Sequence, residues 1–282
     1  MSTHVYHLPA APASTRRPKL PWLLRGLPGD LAELFAYRFV LYNLVTQELK
    51  VRYQRSVLGF FWTLLNPILM MAVLATVFSH LISMKDYALY LFAGMLPWVF
   101  FATSVDAGAN CLIRAEGLIR KVYLPKMLFP IAAMLINLIN LSLSMMALFL
   151  LLQVIAPRVS WSILTVPPAM VLLAVFTLGI GMLVATVNTF FRDFGHIVTV
   201  LLQAWYFLTP VIYSLDVLSE KLRRVIVWNP MSALLHLFHC AIYYRELPSG
   251  ATVGYAVLSA LVSLGIGYAA FKYHEDRFIF RL

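Results

Sequence analysis

Few residues in this chain could make or break a bond, and they are scattered. Asp106, Glu116 and Asp193 are the only carboxylates between residues 87 and 215, with none of the clustering that acid–base work by a carboxylate pair needs. His236 and His239 stand three apart and can share one face of a short helix, which supplies two ligands where a zinc centre takes three or four. No Gly-x-x-x-x-Gly-Lys-Ser/Thr phosphate loop and no HExxH pair occurs, so an ATP site of the usual kind is absent. No catalytic residue is assigned, and no metal site is expected. What remains suits holding and guiding. Lys50, Arg52 and Arg55 form a cationic cluster that would fix the depth of a helix lying at a membrane surface. Phe92, Trp98, Phe100 and Phe101 offer ring faces that suit the C–H face of a sugar, or equally the acyl chains of lipid.

The elements that carry these residues are set by composition. Of the residues 61% are hydrophobic and 12% charged, a balance that belongs to a polytopic membrane protein. A helix needs roughly 20 apolar residues to cross the hydrocarbon core. Six long runs lack Asp, Glu, Lys and Arg: Val57–Ile82, Tyr87–Val105, Leu128–Ala156, Val159–Phe191, Gly195–Leu215 and Ala251–Phe271. A charge at the bilayer centre costs about 2.5–3.5 kcal/mol on insertion scales, so each uninterrupted run is predicted to span.

A seventh run, Val225–Tyr244, is also charge-free but carries Asn229-Pro230 near its start. Basic residues decide its reading. With six spans, one side holds eight Lys and Arg ahead of the first run, four between Ala107 and Met127, Arg192, and three in the tail, against six on the other. The positive-inside rule then puts both termini in the cytoplasm. A seventh span would move Lys272, Arg277 and Arg281 outside. The run is therefore read as one or two short re-entrant or interfacial helices on the outer face, broken at the proline.

The predicted organisation is all-α and membrane-integral. Residues 1–30 form a mobile basic tail without the apolar core of a cleavable signal. Residues 31–55 form an interfacial amphipathic helix, with Asn43, Gln47, Lys50 and Gln54 in one polar stripe. Residues 56–272 form the six-span domain with its outer re-entrant hairpin, and 273–282 a cytoplasmic tail. The loop Ala107–Met127 interleaves Arg114, Glu116, Arg120 and Lys121 with Leu118 and Ile119, a pattern suited to docking on a partner. Asn137, Asn140 and Ser144 share a face of the third span, and Ser259, Ser263 and Gly267 give the sixth a small-residue face. That face suits either a dimer contact or packing within the bundle.

The segments LKVRYQRSVLGFFWTLLNP, LFAGMLPWVFF, LIRKVYLPKMLFP, FFRDF, LTPVIYS and WNPMSAL occur in that order from about Leu31 onward. In these the chain resembles the membrane permease subunit of type-2 ABC exporters, more narrowly the branch exporting O-antigen, capsule and teichoic acid polysaccharides. The resemblance implies a permease without its own ATPase site in the bacterial inner membrane. It further implies a homodimer joined to two copies of a separate ATPase that binds ATP and Mg, a lipid-linked glycan as substrate, and no nucleic acid. It places ATPase coupling at Arg114, Glu116, Leu118, Ile119, Arg120 and Lys121. Lys50, Arg52 and Arg55 would meet the pyrophosphate of the lipid carrier at the cytoplasmic mouth. Asn66, Pro67, Trp98, Phe101, Trp205, Tyr206 and Pro210 would border the path, with Trp228, Asn229 and Pro230 in an outer gate. A type-2 permease for drugs or simple lipids would share this topology. A membrane transferase acting on a lipid carrier would instead need an acidic or histidine cluster at one face.

Overall fold

The computed structural model describes residues 22–54, 86–155 and 160–282, together with Leu65, Leu69, Ala72, Val73, Thr76 and Val77. Two helices, α1 (Trp22–Ala36) and α2 (Arg38–Tyr53), precede the long helix α3 (Tyr87–Arg114). A single turn, α4 (Glu116–Ile119), leads to α5 (Leu128–Ile155). A 3-10 turn, Trp161–Thr165, opens α6 (Val166–Phe190), and α7 (Phe194–Phe207) follows after a tight turn. Then come α8 (Glu220–Val227), α9 (Pro230–Phe238) with a π-helical continuation His239–Tyr244, and α10 (Gly250–His274) ending in a 3-10 segment, Glu275–Phe280.

Four of these helical stretches are long and apolar enough to cross a membrane: Tyr87–Arg114, Leu128–Leu150, Trp161–Phe190 and Gly250–Phe280. The expected first span falls almost wholly outside the described residues. The expected fifth span is shorter than its charge-free run. Helix α7 ends at Phe207, giving 14 residues and about 21 Å at the helical rise, because Pro210 lacks the N–H that would continue the ladder. The second span is longer than predicted. It runs unbroken through Pro97 and past Asp106 to Arg114, since the carboxylate sits at the helix flank within reach of Thr199 Oγ1 at 3.4 Å. The N-terminal helical region starts at Trp22, ahead of residue 31, and breaks at Tyr37. Asn43, Gln47, Lys50 and Gln54 are all exposed, while Val45, Leu41, Leu44 and Leu49 pack on Ala132 and Ile136 of α5.

Small residues bring the central helices together. Helix α6 packs on both α3 and α10, and α3 also packs on α5. A Cβ at Gly267 of α10 would overlap the carbonyl oxygen of Gly179 in α6, and one at Gly179 would overlap the backbone of Ser263. The Ser263 hydroxyl donates across this seam to the Phe176 carbonyl at 2.8 Å. On the other side of α6, a Cβ at Gly108 of α3 would stand 3.2 Å from Gly181 Cα. Ser263 and Gly267 therefore pack within the bundle, and the internal alternative for that face holds. In hydrocarbon, helices gain nothing by leaving water, so dispersion contacts at such close approach supply the association energy.

Helix α1 and the C-terminal segment meet at one end of the bundle. Asp30 of α1 is buried, accepts from Tyr268 Oη at 2.5 Å and pairs with Lys272 Nζ at 2.9 Å. Lys272 also meets Glu275 at 2.8 Å, and Lys126 Nζ donates to the Glu275 carbonyl at 2.6 Å. Asp30 was expected in a mobile tail; burial beside a lysine instead anchors it, because an ion pair away from water keeps its partner. At the opposite end of α3, Tyr90 touches two distant parts of one segment. Its hydroxyl donates to the Tyr213 carbonyl at 2.9 Å, and its ring stacks on His239 at 4.0 Å.

Two predictions follow from the seam and the ion cluster. Gly267→Leu should destabilise the folded chain in detergent by about 3 kcal/mol, the upper end of overpacking costs, whereas Gly254→Leu, which has open space around it, should melt like the wild type. Asp30→Asn should lower the melting temperature clearly, by about 3 kcal/mol in stability for a broken buried pair. Glu220→Gln, which loses only the exposed pair with Arg224, should leave it unchanged.

Candidate functional site

Residues far apart in sequence converge where α3, α6 and α7 meet the α8–α9 pair. Trp98 lies 5.5 Å from Phe101 and 5.5 Å from Tyr206, ring centre to ring centre. Phe101 meets Trp205 edge-on at 5.2 Å, and Phe176 completes the group at 5.8 Å from Phe101. These edge-to-face and tilted pairs suit the quadrupoles of the rings. Phe101 is fully buried and Trp98 nearly so; Trp205 and Tyr206 are half-buried and carry the surface the group presents.

Asn229 ties this group to the α8–α9 pair. Its Oδ1 accepts from Trp205 Nε1 at 2.9 Å and from the Met231 amide at 3.0 Å, which caps α9. Its Nδ2 donates to Thr209 Oγ1 at 2.9 Å and to the Leu208 carbonyl at 3.1 Å. Pro230 occupies the first position of α9, where a missing N–H costs nothing. Helices α8 and α9 meet here at 90°, as the Asn229-Pro230 signal predicts. Trp228 is exposed while its carbonyl accepts from Tyr255 Oη at 2.6 Å. Pro210 is buried, and its carbonyl accepts weakly from Tyr90 Oη at 3.3 Å. The two histidines have different partners: His239 Nε2 lies 3.2 Å from the Tyr90 carbonyl, and His236 Nδ1 lies 3.0 Å from Cys240 Sγ. Among the described residues no group of three metal-binding side chains occurs.

Below the rings a cleft of about 580 Å³ runs between α3, α5 and α7. Trp98, Tyr206 and Phe207 form one end, Arg114 the other, and Asp106, Asn137, Thr103, Thr199 and Gln203 line the length between. Of the third span's polar face, Asn137 reaches this cleft. Ring faces beside amide, hydroxyl and carboxylate groups form a surface on which a polyhydroxylated ligand can both stack and hydrogen-bond.

The basic end of the bundle carries the predicted docking loop. Ile119 is buried with Cys111, Leu112, Met182 and Phe278, so its neighbour Leu118 points outward. Glu116 and Arg120 pair along the turn at 2.8 Å. Leu118, Val122 and Tyr123 are exposed beside Arg114, Arg120 and Lys121. A small apolar and basic surface is thus held rigidly by one inward anchor. Behind it, burial pushes the Lys126 amine below its ordinary range, with Glu275 and Asp276 drawing it back up.

Not every predicted residue is placed. Asn66, Pro67 and Arg55 lie outside the described residues, and Arg52 is described only as part of α2. Lys50 is exposed on the polar stripe. Sequence reasoning missed Tyr90, Phe176, Asn188 and Asp30. Asp30 had a signal, as a lone acid in a basic segment; the others look like ordinary residues of apolar runs.

Residues 40–243 match the family model described as ABC-2 type transporter. The chain is 34% identical over 249 residues to the O-antigen export system permease protein RfbA of Myxococcus xanthus, covering 87% of this chain and 95% of that one. It is 22% identical over 242 residues to the polysialic acid transport protein KpsM of Escherichia coli, covering 83% and 92% respectively. The capsule polysaccharide export inner-membrane protein CtrC of Neisseria meningitidis is 22% identical over 250 residues, covering 85% and 92%. The family model takes in more than half of the chain, which belongs to the ABC-2 type transporter family.

Proposed function

We propose that this chain is the membrane permease of an ATP-driven exporter that moves a lipid-linked polysaccharide across the inner membrane. The likeness to an O-antigen export permease over nearly the whole of both chains carries the reading. The relatives named for polysialic acid and capsule polysaccharide favour a glycan over a drug or simple lipid.

Two copies pair with two copies of a separate ATPase, which binds ATP and Mg. Each copy spans six times, the first charge-free run and α7 joining the four long helices. The α8–α9 pair dips in from the outer face and returns to it. The meeting of Tyr90 with both Tyr213 and His239 supports that return, because a segment that crossed fully would leave its ends apart. Both termini lie in the cytoplasm. The contact of Asp30 with Lys272 supports a shared side, and the basic residues choose which.

The mechanism follows from what each end presents. ATPase closure pushes on Leu118, Arg120 and Lys121, and buried Ile119 passes the push into α3. The glycan passes along the cleft and the rings of Trp98, Trp205 and Tyr206, with Asn66 and Pro67 of the first span beside it. Pro210, Trp228, Asn229 and Pro230 form the outer gate. Lys50, Arg52 and Arg55 hold the carrier pyrophosphate at the cytoplasmic mouth by charge-assisted hydrogen bonds.

Affinity purification in mild detergent should recover a P-loop ATPase in one-to-one ratio, and recovery without any ATPase would overturn the reading. Leu118→Asp combined with Arg120→Glu should cut that recovery by about tenfold or more, with the permease itself still monodisperse. Replacing Lys50, Arg52 and Arg55 together by Gln should impair export while leaving the complex assembled, and unchanged export would remove the pyrophosphate assignment.

A further inference from the structure

The turn between α6 and α7 is closed by a side chain that belongs to neither its loop nor its cap. Helix α7 starts after Asp193, whose side chain makes no capping hydrogen bond to the helix. An amide N–H of the first turn therefore needs another acceptor. Asn188, in the last turn of α6 and wholly buried, supplies it: its Oδ1 accepts from the Gly195 amide at 2.7 Å. The same side chain donates to the Ala109 carbonyl of α3 at 2.8 Å, and its Nδ2 lies 3.4 Å from Asn110 Oδ1. One turn along α7, Thr199 Oγ1 lies 3.4 Å from Asp106 Oδ1, again on α3. A Cβ at Gly195 would stand 3.3 Å from Asn188 Oδ1, so glycine there lets the contact close.

We infer that Asn188 is the positioning residue that makes the start of α7 move with the end of α3. The argument rests on what lies on either side of it. Asn110 is one turn from Arg114, where the docking loop begins, and Cys111 and Leu112 pack on Ile119 of that loop. In the other direction α7 is one continuous helix of 14 residues whose far end carries Trp205 and Tyr206, and through Trp205 it holds Asn229 at the start of α9. A displacement of the docking loop moves the end of α3; Asn188 passes it to Gly195, and α7 delivers it to the rings. The buried amide is stiff because its oxygen and its nitrogen both have partners, and leaving them unmatched is costly. This inference rests on the export reading above and assigns the joint within it.

The test compares Asn188→Ala and Asn188→Asp with wild type in the full permease–ATPase complex. Asp keeps an acceptor for the Gly195 amide and loses the donor to Ala109. Hydrogen–deuterium exchange should rise over residues 194–199 in the alanine variant. MgATP hydrolysis by the purified complex should stay within about twofold of wild type, while surface polysaccharide in a complemented deletion strain falls about tenfold. Gly195→Ala presses on the amide without stranding a buried polar group, and should give the same split with a smaller drop in export. Unchanged exchange, or surface polysaccharide within about twofold of wild type in both Asn188 variants, would overturn the joint. A parallel fall of membrane abundance, hydrolysis and export in all three variants would reduce Asn188 to fold support and overturn it too. Normal surface polysaccharide in the deletion strain itself would remove the export reading and the joint's role with it; raised exchange in Asn188→Ala would still show that the latch forms, so the two failures are told apart.

Discussion

Helix backbones can touch only where no side chain stands between them, and the bundle depends on two such places. Gly179 against Gly267 and Ser263, and Gly181 against Gly108, bring α10 and α3 onto opposite sides of α6. Lipid tails are as apolar as leucine, so these helices are not driven together by escape from water. Close approach is what supplies enough dispersion energy, and it also fixes the register of everything attached to the three helices. The ring group of Trp98, Phe101, Phe176 and Trp205 and the basic end with Ile119 and Phe278 are set around the three helices that these two contacts join.

Polar groups do a different job from the apolar seam. Ser263 bonds across the seam and Asp30 lies within α1; Asn229, Tyr90, Lys272, Glu275 and Lys126 lie near helix ends, where the backbone runs out of its own partners and hydrocarbon offers none. Asn229 caps α9 and joins it to Trp205; Tyr90 gathers the carbonyls of the segment after α7; Asp30, Lys272, Glu275 and Lys126 bind α1 and the C-terminal segment to the loop before α5. Dispersion sets how near the helices lie. Hydrogen bonds set which ends move together, because a directional contact transmits displacement where a smooth apolar face lets helices slide.

That division suits the permease role proposed above. In that proposed role a push received at one end rearranges surfaces along the chain's length. The outward residues of the docking loop stand on a turn pinned by a single buried isoleucine, and the rings stand on a short helix pinned at both ends. Val200 and Leu201 of α7 and Leu258 and Leu261 of α10 are exposed apolar side chains in the isolated chain.

Much of the architecture was legible in the residues. Long runs without charge had to be helices, since only a helix satisfies its own backbone in hydrocarbon, and Asn229-Pro230 had to break one because proline cannot continue the ladder. The exposed basic turn that carries Leu118 and Ile119 could be read too, from an apolar pair among cations. Local covalent chemistry and the bilayer fix all of these, so sequence alone determined them. Which way each residue of that pair faces was decided elsewhere, by the pocket that Met182 of α6 and Phe278 of the tail form around Ile119. The small-residue face of α10 could not choose its partner until Gly179 lay opposite Gly267. Nor could Asp30 and Lys272, or Asn188 and Gly195, be matched by any period in the chain. Such pairs depend on distances between elements remote in sequence, and only the packed bundle sets those distances.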